Sequence, residues 1–306
     1  MFDNMISESI LTYTASGKFM LFGEYLVLQG VDCLAIPLKF GQKLEIEETA
    51  DNYFSWTSKA ADGVWFSARF NDDLEIIETT NNETATILID LLKLIKTDKS
   101  FLFEKRLSFT ASADFNLAWG LGSSSTLISL LSQWSSVNPY FLLKNSFGGS
   151  GYDIACATED SPICYSAKDH ETTHVRLSPA ITNKIMFVYS GNKQNSRNEI
   201  KRFSALDINT EAIEKMNEII KSVFLASDIL DFEKCIKESE ELLSSILQMP
   251  ILKSEQFIDY PYGIKSMGAW GGDFFMATYR NEEEARNYFN ELGYTTQFTY
   301  SEIIKG

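Results

Sequence analysis

The sequence predicts a two-domain α+β protein, and three observations lead there. At 306 residues the chain is long for one compact unit, so two domains are the expected solution. The first half reads as strands and a hairpin followed by amphipathic helices. The second half reads as an apolar strand, two long helices and a closing strand–helix–strand, the pattern of a compact α+β domain. The change falls near residues 170–180 with no Pro/Gly linker, giving expected domains of 1–175 and 176–306.

Taken in order, "GKFMLFGEYLVL" (Gly17–Leu28) and "LAIPLKFGQKLEIEE" (Leu34–Glu48) predict strands; the second alternates Leu44 and Ile46 with charged neighbours. "YFSWTSKAADGVWFSARF" (Tyr53–Phe70) predicts a hairpin turning at Asp62-Gly63. Thr80 and Glu83 have capping-box spacing ahead of a helix whose face is Leu88, Leu91, Leu92 and Ile95. "RLSFTASA" (Arg106–Ala113) alternates as a strand, and Leu127, Leu130, Leu131 and Trp134 repeat as one side of a helix. Asn138-Pro139 starts a short helix with Asn as cap and Pro in the first turn. "ITNKIMFVYSG" (Ile181–Gly191) predicts a strand. Helices are expected at about 211–227 and 231–248, then a strand at 272–279, a helix at 281–292 ended by Gly293, and a strand at 295–300.

Composition narrows the function. Apolar residues make up 44% and charged residues 23%, as in ordinary soluble domains, and 22 Phe supply a sizeable core. A net charge of −15 argues against nucleic acid, whose phosphates require clustered Lys and Arg. It also requires local positive features wherever an anion binds. Four cysteines without a CxxC pair read as reduced thiols. "MFDNMISESI" has acidic residues and no apolar core, unlike a signal peptide, and no apolar run reaches the ~20 residues of a spanning helix. The expectation is a cytoplasmic protein with no membrane partner.

Four stretches could carry chemistry. In "WGLGSSST", glycines free backbone N–H groups to face an anion, the following helix adds its positive end, and serine hydroxyls can bind phosphate or magnesium. A Gly/Ser turn with an N-cap serine accounts for the same residues equally well. No Lys follows the glycines as a Walker A loop requires. "GGSGYDIA" places Asp153 in the first turn of a helix, where its ionised form is favoured, although Asp is common at helix starts anyway. In "SGKFMLFGEYLVLQG", Lys18 could neutralise a phosphate or could be a solvated strand residue. "KSMGAWGGDFF" reads by itself as a tight turn before a strand. "HETTH" (His170–His174) matches the zinc-peptidase pattern, but that chemistry needs both His on one helical face. Two Thr inside the segment, flanking Pro162 and Pro179, and the alternation of "HVRL" predict an extended connection instead.

Together these stretches resemble the GHMP kinase superfamily. Gly17–Gly30 is similar to its first motif, Gly120–Ser124 to its GLGSS phosphate loop, Ser150–Asp153 to its SG-x-D element, and Gly268–Gly272 to its last glycine motif, in the family's order. The resemblance implies a two-domain fold: an N-terminal α/β domain with a mixed sheet and a ferredoxin-like C-terminal α+β domain, with ATP held between them. It implies an ATP- and Mg²⁺-dependent kinase acting on a small-molecule acceptor, as a monomer or homodimer. Carried over by position, Asp153 would orient or deprotonate the acceptor hydroxyl, and Lys18 would keep Asp153 ionised and neutralise the γ-phosphate. Gly120, Leu121, Gly122, Ser123, Ser124 and Ser125 would form the ATP loop, with Ser124 as the magnesium ligand. Glu24, Tyr25, Ser196, Arg197 and Gly268 fall on the acceptor side, with Lys193 adding positive charge.

Retention of Lys18 and Asp153 favours the mevalonate and phosphomevalonate branch over homoserine kinase, which lacks that Asp. Tyr25 after Glu24 leans toward phosphomevalonate kinase. Several positions depart from the pattern: Ser16 and Asn116 replace prolines, and Trp270 with Asp273 makes the last motif bulkier and more acidic. The glutamate that helps hold magnesium has no clear match, since Leu142, Leu143 and Lys144 occupy its neighbourhood. These departures keep open a second reading, a catalytically silent relative that binds nucleotide or metabolite for regulation. The zinc peptidase is the remote third.

Overall fold

The computed structural model describes residues 10–191, 203, 206–268, 270 and 272–306. Its strands are β1 (Leu11–Phe22), β2 (Cys33–Glu48), β3 (Phe54–Ala60), β4 (Gly63–Phe70), β5 (Ile76–Thr79), β6 (Leu107–Ala113), β7 (Ile163–Ser166), β8 (Glu171–His174), β9 (Ile185–Tyr189), β10 (Ile264–Ser266), β11 (Phe274–Thr278) and β12 (Gln297–Thr299). Its helices are α1 (Asn82–Asp98), α2 (Ser123–Ser135), α3 (Pro139–Lys144), α4 (Tyr152–Cys156), α5 (Pro179–Thr182), α6 (Thr210–Leu225), α7 (Ile229–Leu247), α8 (Leu252–Gln256), α9 (Glu282–Glu291) and α10 (Tyr300–Ile303).

Two compact units divide the chain, and their boundary does not follow chain order. The first holds the described residues up to Ser16 with Phe40–Leu117 and Gly122–Gly148; the second holds Gly17–Lys39, Ala118–Leu121 and the described residues from Gly149 onward. Strands β1 and β2 are long enough to pass through both.

In the first unit, β5, β4, β3, β6 and the C-terminal half of β2 lie side by side. β3 and β4 form the expected hairpin, paired from Phe54↔Phe70 to Ala60↔Gly63, while β3 runs parallel to β6 and makes the sheet mixed. The alternation of β6 buries Leu107, Phe109 and Ala111. Phe109 stacks on Trp56 at 5.2 Å and meets the Trp134 edge at 5.1 Å, so sheet and α2 share one aromatic core. α1 buries Leu88, Leu91, Leu92 and Ile95 as its spacing predicts. Its cap corrects the sequence reading: Asn81, not Thr80, takes the N-cap position and accepts from Thr84 N. The Thr80 hydroxyl is used on the β4 backbone instead, accepting from Ser67 N at 3.0 Å.

In the second unit, the N-terminal part of β2 pairs with β7, and β7 with β8. A separate antiparallel sheet has the order β10-β11-β9-β12. Numbered along the chain, that is 2-3-1-4 with helices after the first and third strands, the ferredoxin-like arrangement. Met186, Val188, Phe257, Phe275 and Phe289 centre its core. Asn209, Asp228 and Asn281 cap α6, α7 and α9 through their side chains, which fixes where these three helices begin. The strand expected from Ile181 starts later, because Ser178 caps a helical turn begun by Pro179. No helix among the described residues is long and apolar enough to cross a membrane.

Candidate active site

β1 carries Lys18 as a half-buried residue, and its backbone N–H donates to Leu121 O at 3.1 Å, tying the strand to the glycine loop of Gly120 and Leu121. The Lys18 ammonium lies 5.5 Å from the centre of the Tyr152 ring. Burial works against that charge, but Tyr152, Asp153 and Asp273 outweigh it and hold Lys18 above its ordinary range. Tyr152 moves up to about 12, chiefly through burial, so at neutral pH it is a phenol beside an ammonium. Asp153 sits in the first turn of α4, half-buried, with Oδ1 accepting from Ile154 N at 3.1 Å. The fold thus brings Lys18 and Asp153 into electrostatic contact from opposite ends of the first half of the chain.

The loop ahead of α2 turns at Gly120 (φ 67) and Gly122 (φ 97), the latter as N-cap. No side chain caps this helix, so its first-turn N–H groups lack the partner that Asn or Asp supplies to α6, α7 and α9. The serines are not equivalent. Ser125 is buried and donates to Gly122 O at 2.8 Å, and Thr126 does so at 3.1 Å, whereas Ser124 is exposed and Ser123 half-buried. Leu121 is fully buried and contributes its carbonyl to Lys18 rather than its side chain.

Glu24 and Tyr25 turn inward. Glu24 is 4% exposed, and its Oε1 accepts from the fully buried Lys265 at 2.5 Å. Glu240, 2% exposed, lies 3.8 Å from the same ammonium and accepts from Ser266 Oγ at 3.1 Å. One ammonium therefore faces two carboxylates, and Glu24 Oε2 and Glu240 Oε1 have no hydrogen-bond partner. Burial raises both carboxyls against the pull of Lys265, Glu240 to about 7. Tyr25 adopts φ 62, and its hydroxyl accepts from Trp270 N at 2.7 Å. The turn after β1 is thereby bound twice to the segment containing Gly268, once through Lys265 and once through Trp270. Gly268 itself turns at φ 66 with open space around its Cα. A small cavity of about 20 Å³ in the same unit is lined by Ser190, Gln256, Ser266, Gly272 and Phe274 among others.

Lys193, Ser196 and Arg197 lie outside the described residues. The HETTH histidines do not converge. Glu171–His174 is strand β8, not the helix turn that would bring i and i+4 together on one metal, and His170 precedes it at φ 56. Tyr165 OH donates to Ser150 O at 2.7 Å and so accepts from His170 Nδ1 at 2.8 Å, while His174 pairs with Glu159 at 2.7 Å. Among the described residues no group of three or more His, Cys, Asp or Glu is placed to hold a metal ion. The peptidase reading falls on that geometry. Tyr165 and His170 instead support the Gly148–Gly151 turn ahead of Asp153, a role no sequence signal announced; Lys265 and Tyr152 were equally silent.

Comparison with solved structures gives the same architecture. Methanococcus jannaschii mevalonate kinase superposes with a TM-score of 0.70 at 19% identity, covering 99% of this chain and 99% of that one. Streptococcus pneumoniae phosphomevalonate kinase, in complex with phosphomevalonate and AMPPNP, gives 0.71 at 16% identity, covering 94% and 99%. The chain has the GHMP kinase fold. Lactococcus lactis galactokinase complexed with galactose gives 0.66 at 14% identity, covering 97% and 93%. No family model matches the sequence, and no curated protein does.

Proposed function

We propose that this protein is an ATP-dependent small-molecule kinase that transfers the γ-phosphoryl group of Mg-ATP to mevalonate or phosphomevalonate. The observation that carries the reading is the Lys18–Tyr152–Asp153 group, with the Lys18 backbone bonded to the glycine loop. Phosphoryl transfer passes through a loose transition state, so the protein's task is positioning and charge neutralisation. Lys18, held charged by its neighbours, neutralises the transferring group, and the uncapped start of α2 offers N–H groups to phosphate oxygens. Asp153 orients the acceptor hydroxyl and takes its proton as the new P–O bond forms. Ser124, with its exposed hydroxyl, is the serine suited to magnesium, while Ser125 serves the helix itself. Glu24 and Tyr25 act through the fold, by fixing the turn after Lys18, and Gly268, with open space where a Cβ would stand, is placed on the acceptor side. The domains remain 1–175 and 176–306 in this reading, with a cytoplasmic setting and a monomer or homodimer.

The test is coupled ADP release with Mg-ATP against mevalonate, 5-phosphomevalonate, homoserine and galactose, with Asp153→Ala as control. Turnover on one acceptor, lost in the variant, identifies the substrate. Absence of ATP binding sinks the kinase reading.

A further inference from the structure

Lys18 and Asp153 have tasks in phosphoryl transfer, whereas Tyr152, which stands with them, has none so far. It is half-buried at the first position of α4, between the N-cap Gly151 and Asp153. All three residues belong to one compact unit. Strand side chains alternate, so Lys18 and Met20 project from the same face of β1. Met20 is part of a buried cluster with Cys33, Ala35, Ile163 and Tyr165, and Tyr152 packs against that cluster. Tyr165 also fixes the backbone ahead of Tyr152, its hydroxyl donating to Ser150 O at 2.7 Å. One core therefore holds both the ring and the turn that carries it.

A lysine ammonium is a point charge on a flexible stem, and rotamer entropy opposes keeping it in one place. Burial opposes its charge as well. Tyr152 answers both. The ammonium stands 5.5 Å from the ring centre, inside the range of about 6 Å over which an aromatic face attracts a cation. The two side chains are also hydrogen-bonded. Because the ammonium has only donors, the phenol oxygen accepts, which favours the charged lysine. Asp153 and Asp273 add to the attraction. Core packing accounts for the ring; it does not account for a hydroxyl turned to the ammonium.

We propose, on the kinase reading above, that Tyr152 is a positioning residue for phosphoryl transfer: its ring face and phenol oxygen hold the Lys18 ammonium in place for the transferring group. Two variants separate its features. Tyr152→Phe keeps the ring and loses the oxygen, and Tyr152→Leu loses both. The first readout needs no activity: NMR of the lysine ε-methylene groups in ¹³C-lysine protein, with the Lys18 signal assigned through Lys18→Arg. A ring face moves the ε protons upfield, and the ε-carbon shift follows loss of the ammonium proton at alkaline pH. The second readout is kcat and KM for Mg-ATP by coupled ADP release.

The wild type shows an upfield Lys18 signal that stays in its ammonium form as pH rises. Tyr152→Phe keeps the upfield shift, but the free-amine fraction at a given alkaline pH increases about tenfold. Tyr152→Leu loses the upfield shift and loses its proton at lower pH still. In both variants kcat falls about 10–100-fold while KM for Mg-ATP stays within about threefold, because the displaced charge is missed chiefly in the transition state. A Phe variant with wild-type titration and wild-type kcat overturns the proposal. So does a Lys18 signal unmoved in Tyr152→Leu. A wild type that neither binds Mg-ATP nor turns over an acceptor fails the kinase reading instead, and the Lys18 signal still decides whether Tyr152 holds that ammonium.

Discussion

Glu240→Gln separates a buried charge from the fold that contains it. In the wild type, Glu24 bonds Lys265 directly at 2.5 Å, while Glu240 stands at 3.8 Å, so Glu240 is the carboxyl that retains a proton. Its ordinary value of 4.5 rises to about 7 in the fold, mainly through burial. A carboxyl raised on folding stabilises relative to its ionised form at low pH, and that contribution is lost as pH climbs from 4.5 through about 7. At 1.36 kcal/mol per tenfold, the whole loss is about 3 kcal/mol, of which about 2–3 kcal/mol falls between pH 5 and pH 8. Gln has nearly the same shape, can still accept from Ser266, and does not titrate. Urea unfolding of both proteins from pH 5 to pH 8 should therefore show the variant gaining on the wild type by about 2–3 kcal/mol as pH rises. The readout is the slope of the difference, which a constant cost of the substitution does not alter. A pH-independent difference refutes the assignment of the proton to Glu240, and a slope that vanishes in Glu24→Gln instead moves it to Glu24.

Other outcomes follow from the same geometry. Lys265→Met strands two buried carboxylates and should cost about 3–5 kcal/mol in urea unfolding, with most of it restored by adding Glu24→Gln and Glu240→Gln; no restoration would mean that the ammonium packs rather than pairs. Asp153→Asn should lower kcat about 10²–10⁴-fold with little change in the KM for ATP, measured by coupled ADP release; a change in KM alone would make Asp153 a binding residue. Gly120→Ala, forced onto the Asp273 carboxylate at positive φ, should abolish ADP binding by calorimetry while thermal unfolding remains cooperative, and Asp273→Gly in the same chain should restore part of the affinity. His170→Ala and His174→Ala should leave the metal content of the purified protein unchanged by elemental analysis; loss of bound zinc would revive the peptidase geometry.

Local chemistry was readable in the sequence wherever it decided the structure alone. Asn138-Pro139 capped a helix as read, the Asp62-Gly63 signal turned a hairpin, and the alternation of β6 reported its buried face. The readings that moved did so because a neighbour distant in sequence outbid the local signal. Thr80 lost the cap because its hydroxyl serves Ser67 on the adjacent strand and Asn81 was free to replace it. The strand read through Leu28 stops at Phe22, because Gly23 passes so near Asp32 and Cys33 that an added Cβ would lie 2.7 Å from each, and the chain must turn there at φ 99.

The candidate site divides along the same line. Lys18, Asp153 and the glycine loop have residue types and spacings that state their chemistry, because each acts on a ligand and its neighbours in sequence shape that action. Glu24 looked equivalent from sequence, yet its partner Lys265 lies 241 positions away, and no periodicity or motif encodes that pairing. Asp273 registered only as an irregular residue in a glycine motif, and its meaning depends on Gly120, which reaches it through the fold. The inference is general to glycine-rich sites. A glycine reports either a turn or a guest, and the sequence does not say which; at position 120 the guest is the Asp273 carboxylate of the same chain, which only the fold brings against the loop.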